Sequence, residues 1–192
     1  YIGEQIRGFE QRHDYEYVFG FEESYGCLVG THARDKDGIV AVMMLAEAAA
    51  YYKKQGLTLW DQMINIYEKY GYYREAQVSI VLKGAEGAEK IKELMNNLRN
   101  NPPKAFGEFE IEAIRDYSIG VRKDIKTGKE EKITLPKSNV LYYELANGEW
   151  CCARPSGTEP KVKFYMGVKT KTMEEANERL ERLKGEVLKA VE

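Results

Sequence analysis

The run Trp150-Cys151-Cys152-Ala153-Arg154-Pro155-Ser156-Gly157-Thr158-Glu159-Pro160-Lys161-Val162-Lys163-Phe164-Tyr165-Met166-Gly167-Val168 reads as two strands and the loop that joins them. Val162, Phe164, Met166 and Val168 alternate with other residues. Strict alternation marks a strand buried on one face only. Arg154 to Pro160 is then the connection between two paired strands. Its residues have two readings. Ser, Gly, Thr and Pro are the ordinary residues of a polar turn. The same residues also suit an anion. Arg154 offers a planar fork of donors. Ser156 and Thr158 supply hydroxyls, Gly157 lets the backbone approach a ligand closely, and successive N–H groups in a turn form an anion-binding nest. The loop alone leaves both open.

Outward from this loop the pattern continues as sheet and helix. Val140–Ala146 and Glu149–Ala153 flank Asn147-Gly148, a strong two-residue hairpin signal. Further upstream, Gln77–Leu82 alternates as a strand, and Phe109–Asp116 reads as another. Ile119–Leu135 reads as two strands around a charged turn containing Thr127-Gly128. Gly84–Arg99 predicts an amphipathic helix with Ala88, Ile91, Leu94, Met95 and Leu98 inward, stopped by Asn100-Asn101-Pro102-Pro103. Thr172 to Val191 predicts a closing helix, capped by Thr172-x-x-Glu175, with Met173, Ala176, Leu180, Leu183 and Val187 inward. Residues 75–192 therefore predict an α+β layer: a largely antiparallel sheet with two helices on one face.

Residues 1–74 read differently. An amphipathic start (Ile2, Ile6, Phe9) precedes a strand at Tyr15–Phe21. A helix over about Gly38–Gln55 is capped by Asp37, with Ile39, Val42, Met43, Ala46, Ala49 and Ala50 on its inner side. Thr58-Leu59-Trp60-Asp61 opens a further helix in the manner of a capping box, with Leu59, Met63, Ile66, Tyr67 and Tyr70 inward. This is too little sheet for two helices. The expectation is a partial α/β domain whose helices expose apolar faces. The start at Tyr1-Ile2-Gly3, without an initiator Met, adds the expectation of a fragment.

Composition narrows the function. The chain is 43% hydrophobic and 31% charged, enough for a core and for solubility. With 29 basic residues against 31 acidic ones, a general nucleic-acid affinity is not indicated. Cys27, Cys151 and Cys152 are an odd set with two adjacent, which points to a reducing cytoplasm rather than a disulfide framework. No CxxC pair occurs and the histidines are His13 and His32, so a zinc site is not expected. No apolar run is long enough for a membrane span.

A second polar loop changes the reading of the first. Glu22-Glu23-Ser24-Tyr25-Gly26 follows the N-terminal strand. Its carboxylates accept hydrogen bonds from hydroxyl groups and so suit a sugar, although a solvated turn uses the same residues. Taken together the loops describe a ligand with hydroxyls at one end and an anion at the other, as in a sugar phosphate. At these residues the chain resembles the α-D-phosphohexomutases, the phosphoglucomutase/phosphomannomutase family, over essentially its whole length. Phe19 to Gly26 resembles the family's sugar-binding loop in its third domain, usually Gly-Glu-x-Ser-Gly, with Phe21 where Gly is common. His32-Ala33-Arg34-Asp35-Lys36-Asp37-Gly38 resembles the segment that follows. Arg154 to Pro160 resembles the phosphate-binding loop of the fourth domain nearly residue for residue. Lys163 stands where the family often has Arg, keeping the charge but losing the bidentate fork. The Glu-Glu-Ser-Tyr version is most similar to glucose-type bacterial members.

The resemblance implies residues 1–74 as the end of domain 3 and 75–192 as domain 4. It implies Glu22 and Ser24 on the 3- and 4-hydroxyls of the sugar. Arg154, Ser156, Gly157, Thr158 and Lys163 would hold the phosphate that is not being transferred. Lys36 would lie near the phosphates, with Arg34 as a weaker substrate contact. His32 is a further assisting candidate, or a loop histidine bonded to backbone. The family interconverts glucose 1-phosphate and glucose 6-phosphate through a phosphoserine, Mg2+ and glucose 1,6-bisphosphate. Neither a Thr-Ala-Ser-His-Asn-Pro-like phosphoserine stretch nor an Asp-Gly-Asp-x-Asp-Arg-like magnesium stretch is present. The expected partners are therefore a hexose phosphate and the missing N-terminal domains, and the chain alone is expected to be inactive. Mannose- or pentose-phosphate specificity, a stand-alone phosphosugar-binding module, and a purely structural α+β domain with two solvated loops are the competing readings.

Overall fold

The computed structural model describes residues 2–22, 26–82, 84–157 and 159–191. The chain divides into two compact units, Tyr1–Ile66 and Tyr67–Glu192.

The first unit runs α1 (Ile2–Arg12), β1 (Phe19–Glu22), β2 (Gly26–Val29), α2 (Gly38–Lys53) and the start of α3 (Leu59–Tyr70). β1 and β2 pair antiparallel, with Phe21 opposite Cys27 and Glu22 opposite Gly26. The strand predicted over Tyr15–Phe21 is thus shorter and later, and its partner β2 went unread because four residues carry too little periodicity. α2 starts where Asp37 caps it, accepting the Ile39 and Val40 N–H groups at 2.9 and 3.2 Å. The Thr58–Asp61 box forms with Asp in place of Glu. The Asp61 carboxylate accepts the Thr58 N–H at 2.7 Å, and the Asp61 N–H donates to the Thr58 hydroxyl at 3.1 Å. The Thr58 hydroxyl, which donates to the same carboxylate at 2.6 Å, and then the Thr58 N–H hold the Asp61 carboxyl below the usual carboxylate range.

The predicted inner faces of α2 and α3 are mostly exposed: of the residues expected inward, Ala49 and Tyr67 are half-buried and the others lie open. Neither helix has a fully buried residue. Ile39, Val42, Met43, Leu59, Met63 and Ile66 are all exposed. α2 is apolar around its whole circumference, so its pattern could not say which side faces in. The side that does is Val40, Ala41, Ala48, Ala49 and Tyr52, all half-buried.

The second unit is a two-layer α+β fold. It contains β3 (Tyr72–Val81), α4 (Gly84–Asn100), β4 (Ala105–Phe106), β5 (Phe109–Asp116), β6 (Val121–Asp124), β7 (Glu130–Lys132), β8 (Leu141–Leu145), β9 (Trp150–Pro155), β10 (Lys161–Thr170) and α5 (Met173–Val191). The strands lie in the order β3-β10-β9-β8-β5-β6-β7, with β4 beside β5, and every pairing is antiparallel. β3 starts before the alternation does, because its first residues include the charged pair Arg74-Glu75. Asn147 and Gly148 both take positive φ (64° and 74°), as the Asn-Gly turn requires.

One face of this sheet carries the core. Phe109, Ile111, Tyr143, Leu145, Phe164 and Met166 pack against Ile91, Met95 and Leu98 of α4 and Leu180, Leu183 and Val187 of α5. Ala88, expected inward, is exposed, and its neighbour Gly87 is buried instead. A Cβ at Gly87 would lie 2.2 Å from the Leu82 carbonyl oxygen, so the helix enters too close to the strand end for any side chain there. The opposite face of the sheet is free for polar residues.

Candidate functional site

The alternation of β10 sends Val162, Phe164 and Met166 into the core. Lys161, Lys163 and Tyr165 therefore stand on the other face. β9 pairs alongside with Arg154 opposite Lys163. The hairpin is closed by the Ser156 N–H, which donates to the Lys161 carbonyl at 2.8 Å. The Lys161 N–H donates to the Glu159 carbonyl at 2.7 Å, and the Leu82 N–H donates to the Pro160 carbonyl at 2.9 Å, tying the loop to the end of β3.

This geometry makes a shallow recess of about 330 Å³ lined by Arg154, Ser156, Gly157, Glu159, Lys161, Lys163 and Tyr165. Three cations and one carboxylate face the same space. Glu159 pairs with Lys161, and that ammonium, helped by Lys163, holds the Glu159 carboxyl below its usual range. Nothing lies within 4 Å of where a Cβ on Gly157 would sit, so its backbone is open to a ligand. The sequence-predicted Arg154, Ser156, Gly157 and Lys163 are thus brought together. Thr158, predicted with them, lies outside the described residues. Lys161, Glu159 and Tyr165 join this set as additions that the sequence-predicted residues do not include. The first and last stand two residues either side of Lys163, so the strand's period could have found them.

The other predicted residues lie in the first unit. The Lys36 ammonium donates to Glu22 at 3.1 Å, and Glu22 raises the lysine above its ordinary range. The stem of Lys36 crosses Gly26, where a Cβ would sit 2.4 Å from its Cδ. Glu22 and Lys36 therefore form one polar cluster at the end of the β1–β2 pair. Arg34 is engaged elsewhere: it donates to both oxygens of Glu10 at 2.6 and 2.8 Å and to the Thr31 carbonyl at 2.8 Å. His32 is bonded not to backbone but to the Asp37 carboxylate, at 3.1 Å, the same carboxylate that caps α2. Ser24, predicted beside Glu22, lies outside the described residues.

A larger groove of about 600 Å³ follows β6 and β7, lined by Ile119, Val121, Ile133 and Leu135 with Glu130, Glu131, Lys132 and Lys137. Its charges are balanced, so it lacks the convergent cations of the β9–β10 loop. Among the described residues no group of three or more His, Cys, Asp or Glu side chains is arranged to hold a metal ion. No described helix is long and apolar enough to cross a membrane.

Comparison with known proteins bears on the same residues. Residues 1–70 match the model of phosphoglucomutase/phosphomannomutase, alpha/beta/alpha domain III. The phosphoglucomutase of Staphylococcus saprophyticus is 33% identical over 181 residues, which cover 94% of this chain and 33% of the relative. That of Staphylococcus haemolyticus is 34% identical over 178 residues, covering 93% and 32%. The chain thus spans about a third of the length of these curated relatives. The fold is similar to the open-form crystal structure of the exocytosis-sensitive phosphoprotein pp63/parafusin, a phosphoglucomutase from Paramecium. The TM-score is 0.53 at 17% identity, over 87% of this chain and 30% of that one. On this sequence kinship, the chain belongs to the phosphoglucomutase/phosphomannomutase family.

Proposed function

We propose that the chain is the substrate-recognition portion of a phosphohexomutase that interconverts glucose 1-phosphate and glucose 6-phosphate. The observation that carries this reading is the convergence of Arg154, Lys161 and Lys163 on one recess beside Ser156 and Gly157. In this reading the second unit supplies domain 4 and grips a phosphate. Arg154 donates its fork, Lys163 a point charge, and the open Gly157 backbone and the Ser156 and Thr158 hydroxyls complete the clamp. The first unit supplies the end of domain 3. Glu22, oriented by Lys36, accepts hydrogen bonds from sugar hydroxyls together with Ser24. Arg34 and His32 serve the loop that carries Lys36, through Glu10 and Asp37.

The phosphoryl transfer itself belongs to other domains of the whole protein. A phosphoserine would donate and recover the phosphate through glucose 1,6-bisphosphate. Mg2+ supplies charge stabilisation at the transferring phosphoryl group when bound. The described residues do not provide its ligand set. The free cysteines Cys27, Cys151 and Cys152 support a cytoplasmic setting.

The test has two arms. The purified 192-residue chain should bind glucose 1-phosphate in a calorimetric titration, and Arg154→Ala should weaken binding at least about tenfold, the worth of one charge-assisted bond. The same chain should show no conversion to glucose 6-phosphate in a coupled assay. Turnover by the chain alone would sink the recognition-only reading. Binding unaffected by Arg154→Ala would sink the phosphate assignment. Mannose 1-phosphate in the same titration tests the choice of sugar.

A further inference from the structure

The phosphate recess carries an anion of its own. Glu159 and Lys161 form an ion pair across Pro160. The Lys161 N–H to Glu159 carbonyl bond makes a three-residue turn with Pro160 at its centre, and proline presets its own φ for such a bend. The Pro160 carbonyl is also held by the Leu82 N–H. The turn is therefore fixed from both sides and delivers both side chains to the same recess. Arg154 and Lys163 line that recess too. Neither makes an ion pair among the described residues, whereas Lys161 is already engaged.

The two members of the pair differ in freedom. The Lys161 side chain is 26% exposed and that of Glu159 is 60% exposed. The lysine is the more buried partner and the glutamate the more exposed one. An exposed carboxylate–ammonium pair is weak and screened by salt. A phosphate monoester brings about twice the charge of a carboxylate and three acceptor oxygens. Where both compete for one ammonium, the phosphate wins and the more exposed partner is the one that leaves.

We infer that Glu159 is a built-in competitor for phosphate. It holds Lys161 until a phosphate enters, then swings into solvent and leaves Lys161 as a third cationic ligand beside Arg154 and Lys163. This rests on the phosphate-binding reading above and adds the pair that sets how tightly the anion is held. Lys161 is the less exposed member and is anchored as the first residue of β10, so the exchange requires only a side-chain rotation at Glu159. The clamp is consequently weaker than its three cations alone would make it, and its phosphate leaves faster.

The experiment is a calorimetric titration of the 192-residue chain with glucose 1-phosphate, and separately with inorganic phosphate, in four further forms: Arg154→Ala, Glu159→Gln, Lys161→Gln and Glu159→Gln/Lys161→Gln. Glu159→Gln should tighten both ligands by about three- to tenfold, the gain being smaller at high salt. Lys161→Gln should weaken them by a similar factor. In the Lys161→Gln background, adding Glu159→Gln should bring little further change. The inference is overturned if Glu159→Gln leaves binding unchanged or weakens it. It is also overturned if its gain persists undiminished without Lys161, which would make Glu159 a general repulsive charge. Arg154→Ala separates the two levels: loss of binding there with no effect of Glu159→Gln keeps the phosphate reading and removes the competitor. No heat from either ligand with both the parent chain and Glu159→Gln removes both.

Discussion

Glu149 is 2% exposed, yet it is charged, and one residue answers for it. Arg179 of α5 directs its guanidinium fork at both carboxylate oxygens, with its Nη2 at 2.8 Å from one of them. Its guanidinium also lies 4.7 Å from the centre of the Phe109 ring. The pair fastens the C-terminal helix to the β8–β9 turn, where the Leu145 N–H donates to the Glu149 carbonyl at 2.9 Å. A buried pair adds little over an apolar replacement, but breaking it strands a charge. Arg179→Leu should therefore lower the stability of the second unit by about 3–5 kcal/mol in urea denaturation followed by circular dichroism. Glu149→Leu added to Arg179→Leu should recover most of that loss. Losses that simply add would mean the two side chains act separately. At this same scale the candidate site was partly legible. Arg154 and Lys163 announce themselves by type and by loop. The Glu159–Lys161 pair did not, because nothing in Glu-Pro-Lys says that the turn folds both side chains to one side. The engagement of Arg34 by Glu10 was equally hidden, since the partners are far apart in sequence and meet only when α1 packs.

Elements with a local signal are legible in the sequence, and those fixed by their neighbours are not. The Thr58–Asp61 box, the Asn147-Gly148 turn and the strand β10 each carry their cause in adjacent residues. The start of β3 is set by its ten-residue pairing with β10, a contact the charged stretch Arg74-Glu75 does not advertise. The inner side of α2 is set by β2, because apolar residues on every side erase the period. Two glycines make the distinction measurable. Gly87 and Gly185 both sit inside helices, where Ala is favoured by about 1 kcal/mol. At Gly185 nothing lies within 4 Å of a new Cβ, and at Gly87 the Leu82 carbonyl stands 2.2 Å away. Leu82 cannot retreat easily, since its N–H is bonded to Pro160. Gly185→Ala should raise stability by about 1 kcal/mol. Gly87→Ala should lower it by about 1–3 kcal/mol, the usual cost of overpacking. The same thermal or urea melt reads both, and a stabilised Gly87→Ala would contradict the close approach.

The molecule as a whole is unequal in its two units. In the second, both helices bury apolar stripes against one sheet face, with Phe106, Phe109, Tyr143 and Phe164 at most 1% exposed. In the first, Ile6 and Leu28 are the fully buried hydrophobic side chains among the described residues. Ile39 is 76% exposed and Trp60 65%. The sequence foresaw exposed apolar faces there from the shortage of sheet, though of the α2 residues it assigned to the interior Ala49 alone is half-buried. Burial of apolar surface is the dominant favourable term in folding, so the two units should not share one stability. Amide hydrogen exchange followed by mass spectrometry tests this peptide by peptide. Peptides from α2 and α3 should exchange through openings of low energy, while those from β8, β9, β10 and α5 should hold out to global unfolding. The gap should be at least about a hundredfold in protection. The measurement belongs at low protein concentration, because contiguous exposed apolar surface promotes association and would protect α2 from outside. If the gap closes as concentration rises, the face on α2 and α3 is being covered by a second copy. If protection is equal in both units even on dilution, the first unit has a source of stability other than its own buried side chains.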